Sequence, residues 1–282
     1  MLGAIIGDVA GSYYEVLEIK NRNRTFEEKT EILDKRITLF TDNSSYTDDT
    51  VLTCAIYDAI MNGNSEYEKY LRNYGMAEIN LGQDKYGRSR FGKGFVEWLL
   101  GNKEGDSYGN GCAMRISPVG FLYDNLEDVI KESKKATVPS HNHEDAIKAS
   151  EAVAVAIFKL RNGESKEDVI KYIKDNYYSL DYDLEDLQRN NKFSSKASIS
   201  VPQAIYIFEV ANDFEDTIRK AISIGGDTDT IAAIAGSIAE SYYGIPDSLK
   251  EEVKKYLTKE QIDLIYSDKR YGGAKCKKLL ND

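Results

Sequence analysis

Two short runs carry carboxylates in a pattern that could hold metal ions. Thr47-Asp48-Asp49-Thr50 stands directly before the apolar stretch that begins at Val51, and Gly225-Gly226-Asp227-Thr228-Asp229-Thr230 directly before the one at Ile231. Capping accounts for either run alone, because Thr and Asp oxygens accept from free N–H groups and a carboxylate favours the positive end of a helix. A cap needs only one such residue and contributes about 1 kcal/mol, so the repeated layout asks for more. If the two helix starts converge, four carboxylates share one site. Two like charges about 4 Å apart repel by about 4 kcal/mol at an effective dielectric of 20. Two divalent ions roughly 3.5–4 Å apart would relieve that repulsion, with threonine hydroxyls completing an oxygen shell. The chain has only two histidines, His141 and His143, and three scattered cysteines. That excludes a histidine-rich site and points to oxygen-held Mg²⁺ or Mn²⁺.

Three further segments could serve such a centre. In Gly3-Ala4-Ile5-Ile6-Gly7-Asp8-Val9-Ala10-Gly11 the glycines recur every four residues, which lines one helix face with bare backbone and admits a close neighbour. Asp8 lies beside that face, where it could act as an internal cap-like acceptor, and Glu15 follows one turn past Gly11. The stretch Gly105-Asp106-Ser107-Tyr108-Gly109-Asn110-Gly111-Cys112-Ala113-Met114-Arg115 has three glycines in seven residues, so its N–H groups could face an anion. Taken alone, a plain glycine-rich turn is the favoured reading of it, and it matches neither the lysine-bearing phosphate loop nor the dinucleotide fingerprint. Ser140-His141-Asn142-His143-Glu144 precedes another helix, and stacking or capping is the expectation for its histidines rather than metal binding.

Helices must position these groups. Apolar residues recur at helical spacing over 51–61, 144–161, 201–211, 214–224 and 231–243, and 248–257 reads as a charged surface helix. Each of the four prolines, at 118, 139, 202 and 246, is expected near a helix boundary. The best strand candidates are Arg36 to Phe40 and Ile116 to Val119. Polar segments 20–46 and 178–198 read as long loops, in which Tyr177, Tyr178 and Tyr182 are expected to pack locally rather than cover a ligand.

At 282 residues the chain needs no disulfide or zinc to complete a core, and no linker divides it, so one domain over 1–282 is expected. The formal charge of −10 argues against general nucleic-acid binding. No apolar run approaches the roughly 20 residues of a membrane helix. The N-terminus lacks a basic start, and Cys54, Cys112 and Cys276 are odd in number and far apart, which fits a reducing cytoplasm.

The ordered set GAIIGDVAGSYYE, TDDT, GNGCAMRISPVG, SHNHEDA, SVPQAI and GGDTDTIAAIAGSIAESYYG resembles the ADP-ribosylglycohydrolase family, over about residues 1–244. The resemblance implies an all-α domain of about a dozen orthogonally packed helices with a binuclear Mg²⁺ or Mn²⁺ cleft. It implies metal ligands at Thr47, Asp48, Asp49, Asp227, Asp229 and Thr230, and a catalytic glutamate at Glu15. It implies substrate contacts at Ser107, Tyr108, Gly109, Asn110, Gly111, Met114 and His141. The family usually has Thr-His-Asn-His-Pro where this chain has Ser140-His141-Asn142-His143-Glu144. Asp84, in Gly82-Gln83-Asp84-Lys85-Tyr86-Gly87, is taken as the general base that some members place between the first metal motif and the glycine-rich loop.

The expected activity is hydrolysis of the bond joining ADP-ribose to an acceptor, by a monomer acting on an ADP-ribosylated protein or small conjugate, with Asp49 and Asp229 catalytic through the metals. Two other readings exist. The Asp227-Thr228-Asp229-Thr230 run is superficially similar to the aspartate-nucleophile phosphatases, but it follows two glycines and a helical run rather than a hydrophobic strand. An ADP-ribose-binding module without turnover is the other, and the complete acidic set argues against it.

Overall fold

The computed structural model describes residues 1–19, 24–84, 87 and 89–266. Cys276, Lys85, Tyr86, residues 20–23 of the first loop and the last sixteen residues of the expected domain lie outside them. The chain order is α1 (Leu2–Ile19), α2 (Phe26–Thr30), α3 (Asp48–Met61), α4 (Tyr67–Leu81), α5 (Lys93–Leu99), α6 (Gly111–Met114), α7 (Ser117–Leu122) and α8 (Leu126–Thr137). It continues α9 (Glu144–Arg161), α10 (Lys166–Asn176), α11 (Leu184–Asn190), α12 (Ala197–Val210), α13 (Phe214–Ser223), α14 (Thr228–Tyr243), α15 (Asp247–Val253) and α16 (Lys259–Tyr266). The fold is all-α, as the periodicity predicts.

The centre of the core is α14, whose Ile, Ala, Gly and Ser positions are buried around nearly its whole circumference. It packs against α1, α9, α12 and α13. A helix apolar all round belongs in the interior of a larger helical protein. Its closest neighbour is α1, and the four-residue glycine repeat explains why. A Cβ on Gly7 would strike the backbone of Ala232, and one on Gly11 would lie 2.5 Å from Asp229 Cα. Gly3 and Gly236 approach each other reciprocally. The two helices therefore touch backbone to backbone, at a separation that no side chain larger than hydrogen permits.

Three sequence expectations are corrected. Arg36 to Phe40 forms bends, and Ile116 to Val119 leads into α7, where Pro118 in the first turn favours a helix start. Among the described residues the β-structure is limited to two isolated bridges, Asp106 with His141 and Gly109 with Lys196. The segments read as loops contain α2, a 3₁₀ turn (Glu31–Leu33) and α11. Thr25 and Glu28 form a capping box on α2, and Asp183 caps α11 by accepting from Asp186 N. Pro202 lies inside α12 rather than at its boundary. It withholds one N–H from Ser198, which is exposed, so that carbonyl can turn to water. Sixteen α-helices lie among the described residues, in keeping with the expected all-α domain of about a dozen, the short elements adding to the long ones.

Candidate functional site

Residues 47–50 and 227–230 meet. Thr230 Oγ1 lies 3.4 Å from Asp49 Oδ2, across 181 residues of sequence. Carboxylate oxygens of Asp8, Asp49 and Asp229 all lie within 4.8 Å of one another, and so do those of Glu15, Asp227 and Asp229. Asp229 belongs to both groups. At that separation each charged pair would repel by about 3.5 kcal/mol at an effective dielectric of 20.

The two turns are fixed by different means. Thr47 is a true N-cap of α3, its side chain accepting from Asp49 N. Asp8 holds this turn from α1: its carboxylate accepts from Thr47 N at 2.9 Å, Thr47 Oγ1 at 2.7 Å, Thr50 N at 3.0 Å and the Thr50 hydroxyl. The Thr47 proton is thereby committed to Asp8, which leaves its remaining lone pair facing the acidic group. Asp227 occupies the corresponding cap position of α14 but makes no cap hydrogen bond. Its Oδ2 accepts instead from Asn110 Nδ2 at 2.7 Å, and Asn110 Nδ2 also reaches Ser200 Oγ at 3.0 Å. Thr228 Oγ1 donates to the Gly11 carbonyl at 2.9 Å, anchoring the second turn on α1 as well.

Burial and mutual repulsion raise the acids. Asp48 is pushed up to about 8 by burial and then by Asp8 and Glu15. Asp227 is pushed up to about 7 by burial and Glu15, with Asn110 partly opposing. Asp49 and Asp229 stand well above the usual carboxylate range, first through burial and then through Asp8 and each other for Asp49, and through Asp227 and Asp8 for Asp229. Asp49 Oδ1 is buried without a hydrogen-bond partner. An orphaned carboxylate oxygen among crowded acids is a donor set suited to hard cations.

A cavity of about 880 Å³ opens onto this group, lined by Glu15, Asp48, Asp49, Asp227, Asp229 and Thr230. The glycine-rich stretch from Ser107 to Gly111 lines it too, with Met114 and His141. That stretch is stitched on both sides: Asn142 N donates to Gly105 O at 2.6 Å, and Asn110 N to Ser195 O at 2.8 Å. Asn110 lines the cavity, and its side-chain amide donates to Asp227, so it also braces the acidic turn. His143 both caps and stacks, accepting from Asp145 N at 3.2 Å and meeting Tyr108 edge-on with centroids 5.7 Å apart.

Asp84 lines the same cavity outside the two acidic groupings. Beside it in the lining are Tyr46, Arg90, Phe91, Phe95 and Trp98. Arg90 lies over the Tyr46 ring at 4.5 Å and pairs with the buried Glu78; Phe95 stacks on Phe91 at 5.1 Å and meets Trp98 at 5.2 Å. Sequence reasoning missed this group, although Phe91, Phe95 and Trp98 recur at helical spacing. Among the described residues, the two segments read as loops contribute only their ends, Tyr46 from one and Phe193 and Ser195 from the other. Tyr177, Tyr178 and Tyr182 lie elsewhere: Tyr177 donates to Glu151, Tyr178 stacks under Lys148 and Tyr182 packs on Tyr206.

Comparison with known proteins agrees with this architecture. The family model described as ADP-ribosylglycohydrolase matches residues 1–274. ADP-ribosylhydrolase ARH3 of Homo sapiens is 24% identical, over 94% of this chain and 90% of its own length. ADP-ribosylarginine hydrolase Tri1 of Pseudomonas putida is 23% identical, over 77% of this chain and 64% of its own length. A solved structure titled ADP-ribosylglycohydrolase-related protein complex superposes with a TM-score of 0.66 at 19% identity, covering 97% of this chain and 95% of that one.

Proposed function

The chain belongs to the ADP-ribosylglycohydrolase family, a family of enzymes that hydrolyse ADP-ribose conjugates, and from that premise we propose that it is metal-dependent and cleaves the glycosidic bond between the distal ribose and an acceptor side chain or small acceptor molecule. The observation that carries the reading is the pair of carboxylate groups that share Asp229, Asp8 with Asp49 and Glu15 with Asp227, together with the buried and unpartnered Asp49 Oδ1. Thr47, Asp48, Asp49, Asp227, Asp229 and Thr230 would hold two Mg²⁺ or Mn²⁺ ions. Bound there, the ions would supply Lewis acidity toward water and toward the ribose hydroxyls.

The remaining chemistry falls to the chain. Hydrolysis forms a bond from water oxygen to the anomeric carbon and breaks the bond to the acceptor, whose electron pair takes up a proton. The transition state has oxocarbenium character, and the ring of carboxylates stabilises that positive charge. Glu15 accepts the water proton, and Asp84 is the second candidate for proton transfer, from the part of the cavity lined by Tyr46 and Arg90. The glycine-rich stretch Ser107 to Gly111, which lines the cavity, would receive the diphosphate, and Tyr108, half-exposed there, offers a ring to it or to the base.

The test is a panel of defined ADP-ribosyl linkages (to arginine, to serine, to a nucleic-acid end and to a small alcohol) incubated with the protein and either Mg²⁺ or Mn²⁺. Release of free ADP-ribose from at least one linkage, abolished by chelator and restored by metal, is the expected result. Release of inorganic phosphate instead, or binding with no release from any linkage, overturns the proposal.

A further inference from the structure

The Arg115 guanidinium is fully buried under the glycine-rich stretch, with Nη2 donating to Ser140 Oγ at 2.7 Å and to the Ala136 carbonyl at 3.2 Å. Ser140 Oγ in turn lies 2.7 Å from His141 Nδ1. A guanidinium has donors and no acceptor, so at the first contact the serine oxygen must accept. The serine proton then has one acceptor within reach among the described residues, His141 Nδ1. Any other arrangement leaves a buried O–H unpaired, at a cost of about 1–3 kcal/mol. The direction of the chain is therefore set from the arginine end.

Resting on the functional reading above, with His141 contacting the ADP-ribosyl group as the family resemblance implies, we propose that Arg115 and Ser140 are positioning residues that fix His141 as the neutral tautomer protonated at Nε2, so that the ring presents a donor to that ligand. The far nitrogen is open for that task. Nε2 lies 3.7 Å from where a Cβ on Gly109 would stand and 3.2 Å from that on Gly111, so the two glycines leave it uncovered. His141 and both glycines line the cavity. The antiparallel bridge between Asp106 and His141 ties the His141 main chain to the glycine-rich stretch. Burial, with Arg115 and Lys103 nearby, holds the imidazolium well below its ordinary range, so the ring is neutral where the tautomer matters.

The chain has two histidines, which makes the tautomer directly readable. Protein labelled with nitrogen-15 histidine gives two imidazoles by NMR, and His141→Gln assigns one of them by its disappearance. The expected result for the wild type is a pyridine-type Nδ1 and a protonated Nε2 at His141, with the Nε2 resonance moving on titration with ADP-ribose. Ser140→Ala is expected to give a mixture of tautomers and to weaken ADP-ribose, measured by calorimetry, by about tenfold, the equivalent of one charge-assisted hydrogen bond. A wild-type His141 protonated at Nδ1, or an S140A protein with the same tautomer and affinity as wild type, overturns the relay. The wild-type spectrum needs no variant to fold. Absence of ADP-ribose binding to a wild type that shows the Nε2–H tautomer overturns the functional reading instead, and with it the donation to ligand, while the intramolecular assignment holds.

Discussion

The turns at 47–50 and 227–230 are near copies in sequence and differ in how they are built. The first obeys the rules of capping: Thr47 accepts from α3, and Asp8 gathers four donors from the turn. The second breaks them, since Asp227 leaves α14 uncapped and gives its oxygen to Asn110. What replaces the cap is contact with α1, where Gly11 meets the backbone of Thr228 and Asp229. One helix thus anchors both turns, the first by a carboxylate and the second by a bare glycine whose carbonyl accepts from Thr228 Oγ1. Similar motifs at helix starts can be held by polar or by steric means, and the residue that does the holding lies far away in sequence.

Neutralising one acid in each turn tests whether they act as one site. Asp49→Asn and Asp229→Asn are each expected to lower turnover by roughly a thousandfold, several kcal/mol of lost metal-assisted catalysis, with helical circular dichroism unchanged. Near-normal turnover by either variant in saturating metal would separate that turn from the chemistry.

The anchors themselves come next. Gly11→Ala should strain the second turn, costing about 1–3 kcal/mol in stability or more, read as a lower unfolding midpoint in denaturant. Asp8→Asn leaves the packing in place but reverses one contact, since an amide N–H would donate to Thr47 Oγ1 and occupy the lone pair that faces the acids. We expect metal affinity, measured by calorimetry with Mn²⁺, to fall about 10–100-fold with a smaller loss of stability than Gly11→Ala. The reverse pattern would mean that the two anchors are of one kind.

The last test is the response to pH. Asp48 and Asp227 keep their protons to about 8 and about 7, against an ordinary value of 3.8. Between that ordinary value and those raised ones the folded chain binds more protons than the unfolded chain, so metal-free stability falls as pH rises through the window and levels above it. Saturating Mg²⁺ should flatten the slope, because cations favour the ionised acids. Thermal unfolding midpoints from pH 5 to 9, with and without metal, read this directly, and a metal-free midpoint that rises across the window would contradict it.

Much of this arrangement is legible in the residues. The 3.6-residue period marks the long helices, and the four-residue glycine repeat marks α1 as a close-packing partner. The repeated Asp-Thr layout marks the site. The short elements are not marked by period, because α2 and α11 span too few turns to show one; their capping signals, Thr25 with Glu28 and Asp183 with Asp186, were the available clue. Asn110 reads as part of an anion-binding loop because its neighbours are glycines, whereas its partner Asp227 is brought to it only by the packing of α12 and α14. Arg115 carries no sequence signal beyond its type. Its role follows from burial against Ser140, which no local pattern encodes.

The two isolated bridges that flank the glycine-rich stretch have a consequence for how the molecule can diverge. Both are made by main-chain atoms, Asn142 N to Gly105 O on one side and Asn110 N to Ser195 O on the other. The outline of the candidate ligand cradle is therefore carried by peptide groups, with Gly105 held as glycine because a Cβ there would lie 2.0 Å from the Pro139 carbonyl oxygen. Surface side chains around it, such as Tyr108 and Lys196, are free to be exchanged without reshaping the cradle, so a change of preferred conjugate can be acquired one substitution at a time on an unaltered frame.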